Sequence, residues 1–78
     1  MKIEATSYER EDGMALLRHK SDKWVIRRRI SGPTQFLHKD PVEGFKWVLC
    51  LAPGFNLDDM ALPFEKAFIV FQTFPVDA

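Results

Sequence analysis

Residues 40–51 read DPVEGFKWVLCL, and whether they wind into a helix or cross a sheet decides the architecture of the whole chain. Asp40 can accept hydrogen bonds from the free backbone N–H groups of a helix start. Pro41 suits the first helical position, and Glu43 falls where a capping box places its acid. Together they predict a helix from Asp40 through about Leu51, ended by Pro53-Gly54. At helical spacing Val42, Phe45 and Leu49 form one apolar stripe, and Gly44, Trp47, Val48 and Leu51 widen it. Glu43, Lys46 and Cys50 remain as a narrow polar side. A helix apolar on two sides needs two internal neighbours, or one neighbour and a partner.

Upstream, the pattern is that of strands. Residues 3–9, IEATSYE, predict a first strand, and Asp12-Gly13 supplies the positive φ angles of a tight hairpin turn. Residues 14–20 predict a second strand, Ser21-Asp22 a second turn, and the β-branched and aromatic run 23–30 a third strand. Ser31-Gly32-Pro33 ends it, and residues 34–38 predict a short fourth strand. Downstream, residues 55–66 predict a loop. The run AFIVFQTF at 67–74 is apolar almost all round as a helix and rich in β-formers as a strand, so a buried or partner-facing last strand is expected. The expected fold is α+β: one domain over residues 1–78, an antiparallel sheet of three to five strands that begins as a meander, packed against one main helix.

Seventy-eight residues, 46% hydrophobic and 28% charged, make one globular domain near the lower size limit. A core this small supplies about 3–5 kcal/mol. A single cysteine permits no internal disulfide and no cysteine-rich zinc site, which leaves pairing into a homodimer as a further source of stability. No apolar stretch of signal-peptide type follows Lys2, and the longest apolar run, Trp47 to Ala52, is far too short to span a bilayer. No membrane partner is expected. The cytoplasm is the expected compartment, that of the host if the chain is phage-encoded.

The net charge is zero, yet its distribution is uneven. Residues 14–39 carry seven basic and one acidic side chain, whereas residues 40–78 carry two basic and six acidic ones. With a two-residue turn at Ser21-Asp22, Leu16 lies opposite Arg27 and Met14 opposite Arg29, and one sheet face gathers Arg18, Lys20, Lys23, Arg27 and Arg29. That face is a candidate for holding phosphates or an acidic protein, since arginine forms paired hydrogen bonds to either. Extending the register through Asp12-Gly13 places Glu9 and Glu11 two strands from those arginines, where they can neutralise part of the patch. Arg28 falls among apolar neighbours, a local conflict that a position at the sheet margin relieves. Three strands and a helix over residues 3–51 resemble in outline the arm-type DNA-binding domains at the start of tyrosine integrases, which implies a sheet face entering the major groove. Zero net charge and an acidic last third depart from that pattern.

Motifs of catalysis are missing. His19 and His38 lack metal-site spacing to each other or to Cys50, and the serines have no nucleophile-elbow glycines. The APGF of 52–55 lacks the glycine spacing and lysine of a phosphate loop, and Asp58-Asp59 lacks further spaced oxygen ligands. No enzyme, cofactor or metal is expected. Five of the seven phenylalanines follow residue 54, more aromatic surface than one helix can cover, so Trp47, Phe55 and Phe64 are candidates for an exposed hydrophobic contact. The acids Asp40, Glu43, Asp58, Asp59 and Glu65 are candidates for imitating a phosphate backbone. The expected function is a small non-enzymatic binding protein that covers a surface of a protein or nucleoprotein complex. Its narrowest form is a phage or mobile-element inhibitor of host nucleic-acid machinery, anti-CRISPR-like in type. The alternative is a direct DNA- or RNA-binding domain using the basic sheet face.

Overall fold

The computed structural model describes residues 7–30, 32–49 and 57–77. The expected strand start at residues 3–6, together with Ser31, Cys50, Leu51 and Phe55, lies outside them. Five strands run as a meander: β1 (Ser7–Glu9), β2 (Met14–Lys20), β3 (Lys23–Arg28), β4 (Gln35–Asp40) and β5 (Gly44–Leu49), each antiparallel to the next. A short helix α1 (Leu57–Met60), a two-residue strand β6 (Leu62–Pro63) and the main helix α2 (Phe64–Thr73) complete the order. The α+β class holds, with one sheet and one main helix.

The helix expected at 40–51 is instead a hairpin. Asp40 does cap backbone N–H groups, through Oδ1 to Val42 at 2.7 Å and Glu43 at 2.9 Å, but the capped segment is a turn. Asp40 pairs with Gly44 across the three residues Pro41, Val42 and Glu43, and Gly44 takes φ +81°, the left-handed geometry that closes a three-residue hairpin. An Asx turn and a helix N-cap begin with the same hydrogen bonds. The residues after Glu43 decide between them: a glycine at positive φ, then aromatic and β-branched residues that alternate. Phe45 and Trp47 join one core cluster while Val48 enters the other. The outline resemblance to the integrase arm domains ends here, because β5 stands where their helix would follow the strands.

The main helix, Phe64–Thr73, takes in most of the run 67–74 where a strand was expected and the last three residues of the loop expected over 55–66. Ala67 and Phe71 are buried and Phe64 and Phe68 pack beside them, the spacing of one helical stripe. Glu65, Lys66, Ile69, Gln72 and Thr73 make the outer side. The β-branched and aromatic content of AFIVFQTF is a weak preference that packing against the sheet overrides.

Both sheet faces are covered, by different elements. On one face Met14, Leu16, Trp24, Ile26 and Leu37 meet Ala67 and Phe71 of α2. On the other, Val25, Phe36 and Val48 meet Met60, with Leu57 and Ala61 around it. Strand β6 joins the two layers: Leu62 pairs with Trp24 and Pro63 with Lys23, on the side of β3 where β4 pairs further along, at Arg27 and Arg28. The loop expected over 55–66 therefore contains α1 and β6, short elements without a long periodic pattern.

Candidate functional site

The basic residues do not form one continuous face. Lys20 pairs with Lys23 around the Ser21-Asp22 turn as expected, but a bulge at His19 shifts the rest of the hairpin by one residue. Arg18 then stands opposite Trp24, Leu16 opposite Ile26, Ala15 opposite Arg27 and Met14 opposite Arg28. The expected pairs Leu16–Arg27 and Met14–Arg29 are thus corrected. Because Trp24 packs under α2, Arg18 belongs to the α2 side. Alternation puts Lys20, Lys23 and Arg27 on the α1 side.

The first hairpin slips by the same amount, so Tyr8 faces Leu16 and Glu9 faces Ala15. Two slips in one direction preserve the relation of Glu9 to Arg27, which flank Ala15 from either side. Glu11 sits in the turn and faces no strand. Arg29 lies past the end of β3, where its Nε donates to Thr34 Oγ1 at 3.3 Å.

Most of these charges are already engaged within the chain. Arg18 Nε donates to the Ser21 carbonyl at 2.8 Å. Asp58 of α1 holds Lys20 Nζ at 2.9 Å and His19 Nε2 at 2.8 Å. Those two hydrogen bonds, the one from Lys20 leading, hold the Asp58 carboxyl below the usual aspartate range. Backbone N–H groups of Glu43 and Val42, with Lys46 beside them, do the same for Asp40. Lys46 Nζ lies 3.5 Å from Asp40 and 3.8 Å from Glu43. Asp40 and Glu43 are thus on the β4–β5 turn, Asp58 and Asp59 on α1, and Glu65 on α2, so the five acids form no single patch.

Arg28 resolves its predicted conflict on the α2 side. Its guanidinium lies 4.7 Å from the Trp47 ring centroid, Nε donates to Gln35 Oε1 at 2.6 Å, and Nη1 donates to the Val76 carbonyl at 2.6 Å. Trp47 also meets Phe74 edge-on, and Phe64 packs with Tyr8, Trp24 and Phe68. Both aromatic candidates therefore serve the core cluster beneath α2. Arg27 is different: its Nε is buried without a hydrogen-bond partner among the described residues.

A groove between α2 and the β4–β5 hairpin is the feature that the sequence did not announce. It is an open depression of about 440 Å³, lined by the apolar Phe45, Ile69 and Val70 and the charged Lys39, Lys66 and Glu65. Ile69 is 61% exposed and is the one apolar residue on the outer side of α2. Its signal in the sequence was an isoleucine out of phase with the stripe of Phe64, Ala67, Phe68 and Phe71. That signal is readable only once 64–73 is a helix.

Among the described residues no group of three His, Cys, Asp and Glu side chains is placed to hold a metal ion, and no helix is long and apolar enough to cross a membrane. Compared with protein-family models, curated proteins and solved structures, the chain matches none.

Proposed function

We propose that this chain is a non-enzymatic binding protein that acts by covering a surface of another protein or nucleoprotein complex, with the outer side of α2 and its adjoining groove as the contact. The observation that supports this is the combination of an exposed Ile69 with an apolar groove, whereas Lys20 and Lys46 elsewhere are tied to acids of the same chain. A hydrophobic centre with a charged rim is the usual anatomy of a protein interface. The narrower reading, an inhibitor of host nucleic-acid machinery encoded by a phage or mobile element, draws support from the small size and the segregation of charge along the chain. Mimicry of a phosphate backbone is the less favoured route, because Asp40, Glu43 and Asp58 each face a lysine of the same chain.

The test is capture from lysate of the natural host on immobilised protein, wild type beside Ile69→Glu. A partner protein held by the wild type and released by the variant supports the reading. Equal retention by both, or recovery of nucleic acid in place of protein, contradicts it. Ile69 is exposed, so the variant keeps its fold, which circular dichroism verifies.

One observation favours a second reading, direct nucleic-acid binding on the α1 side. Lys23 and Arg27 share that side, and neither makes an ion pair among the described residues. Phosphate contacts there predict affinity that falls steeply with salt.

A further inference from the structure

We infer that the groove between α2 and the β4–β5 hairpin receives an apolar peptide segment flanked by carboxylates, presented by the partner protein. This deepens the binding reading and rests on it. The two walls come from different elements. Lys39 and Phe45 belong to the hairpin, and Glu65, Lys66, Ile69 and Val70 belong to α2. Each wall therefore contributes one lysine beside its apolar residues.

The charge of the lining points to the occupant. Among the described residues Lys39 and Lys66 make no ion pair or hydrogen bond, in contrast to Lys20 and Lys46, which sit on acids of the same chain. Lys39 Nζ stands 5.9 Å from the Phe45 ring centroid, so its charge is held beside the apolar lining of the groove. Two lysines against one glutamate leave the groove cationic, which selects an anionic ligand. The apolar lining of Phe45, Ile69 and Val70 demands an apolar one. A peptide with a hydrophobic centre and acidic flanks meets both demands, and the volume of the groove suits one or two large side chains.

The probes are three capped hexapeptides: a Leu-Phe centre flanked by two acidic residues on each side, the same centre flanked by lysines, and the acidic flanks around a Gly-Gly centre. Each is titrated into the full-length ¹⁵N-labelled chain, with backbone amide shifts as the readout. The acidic Leu-Phe peptide is expected to saturate with a Kd on the order of 0.5 mM, as one small apolar contact with exposed ion pairs allows. Its shifts centre on Lys39, Phe45, Lys66, Ile69 and Val70. The other two peptides bind at least about tenfold more weakly.

The double variant Lys39→Glu, Lys66→Glu, altered at two exposed positions, is expected to reverse the preference between acidic and basic flanks. Equal binding of the acidic and basic peptides overturns the inference. So does an absence of saturable shifts at these residues up to about 5 mM of the acidic peptide, or groove shifts produced only by vesicles of phosphatidylglycerol and phosphatidylcholine. If a captured host protein is released by Ile69→Glu yet held equally by the double-glutamate variant, the binding reading stands and this inference falls.

Discussion

The guanidinium of Arg10, at the end of the first strand, donates to the carbonyl of Phe71 at 2.7 Å, sixty-one positions away in the chain. The same Nη1 donates to the Phe74 carbonyl at 2.9 Å, and the other arm pairs with Asp12. These carbonyls belong to the last turn of α2 and the residue after it, where the helix has no amides left to satisfy them and where a cation is favoured. Arg10 thus fastens the main helix to the first hairpin.

Arg10→Ala is expected to destabilise the fold by about 2–3 kcal/mol, the scale of charged hydrogen bonds that leave part-buried carbonyls behind. A urea midpoint lowered with an unchanged slope is the measurement. An unchanged midpoint would mean that α2 is held by its apolar stripe alone.

Gly13 is the position where the first turn tolerates no side chain. Its φ is +99°, and a Cβ there would meet the Arg29 carbonyl oxygen at 2.8 Å, which itself belongs to the backbone and cannot swing aside. Gly13→Ala is expected to cost about 1–3 kcal/mol. Thermal unfolding reads this directly, and Gly32→Ala, whose surroundings are open, provides the comparison with φ strain but no clash.

The cover of the second face rests on a four-residue helix, so its anchor should be sensitive. Met60 is only 4% exposed among Val25, Phe36 and Val48. Met60→Ala is expected to lower stability by about 2–5 kcal/mol through lost burial and the cavity left behind. Hydrogen exchange of the β3 and β4 amides should quicken in step.

Acid should loosen the α1 attachment and the β4–β5 turn. Asp58 and Asp40 both have carboxyls held below the usual aspartate range, by Lys20 and His19 in one case and by the Glu43 and Val42 amides with Lys46 in the other. A depressed folded-state pKa contributes stability that is present above the unfolded value and lost as pH falls through the folded one. Stability is therefore expected to be level above about pH 5 and to decline below about pH 4. Asp58→Asn and Asp40→Asn should each flatten that decline, as followed by urea midpoints across the acid range. Asp58 is exposed and Asp40 half-buried, so added salt should weaken the effect more at Asp58.

How far the fold could be read from the sequence depended on how local its signals were. Strand β2 runs from Met14 to Lys20 as expected, because Asp12-Gly13 and Ser21-Asp22 mark its two ends within the segment itself. The helix expected at 40–51 failed on a local ambiguity: Asp40 and Glu43 satisfy a helix cap and an Asx turn alike, and only Gly44 at positive φ with its alternating successors separates the two. Residues 64–73 failed for the opposite reason. The stripe of Phe64, Ala67, Phe68 and Phe71 was present, yet strong β-formers masked it until the sheet supplied a surface to pack on. The basic patch depended on a single bulge at His19, and one residue of slip moved Arg18 to the other side of the sheet. No residue type in RHK announces that bulge. The groove joins walls from Phe45 and Ile69, far apart in the chain, and was out of reach while both of its elements were misassigned.

The most direct test of a protein-binding role against a nucleic-acid one is fluorescence anisotropy of labelled duplex DNA, single-stranded DNA and RNA titrated with the purified chain, at low and near-physiological salt. Flat curves at near-physiological salt are expected for all three, because Lys20 and Lys46 are held by Asp58, Asp40 and Glu43 and Arg18 stands on the other face. Saturable binding that weakens steeply with salt, and whose salt slope drops in Arg27→Ala, would contradict a protein-binding role and move the contact to the α1 side.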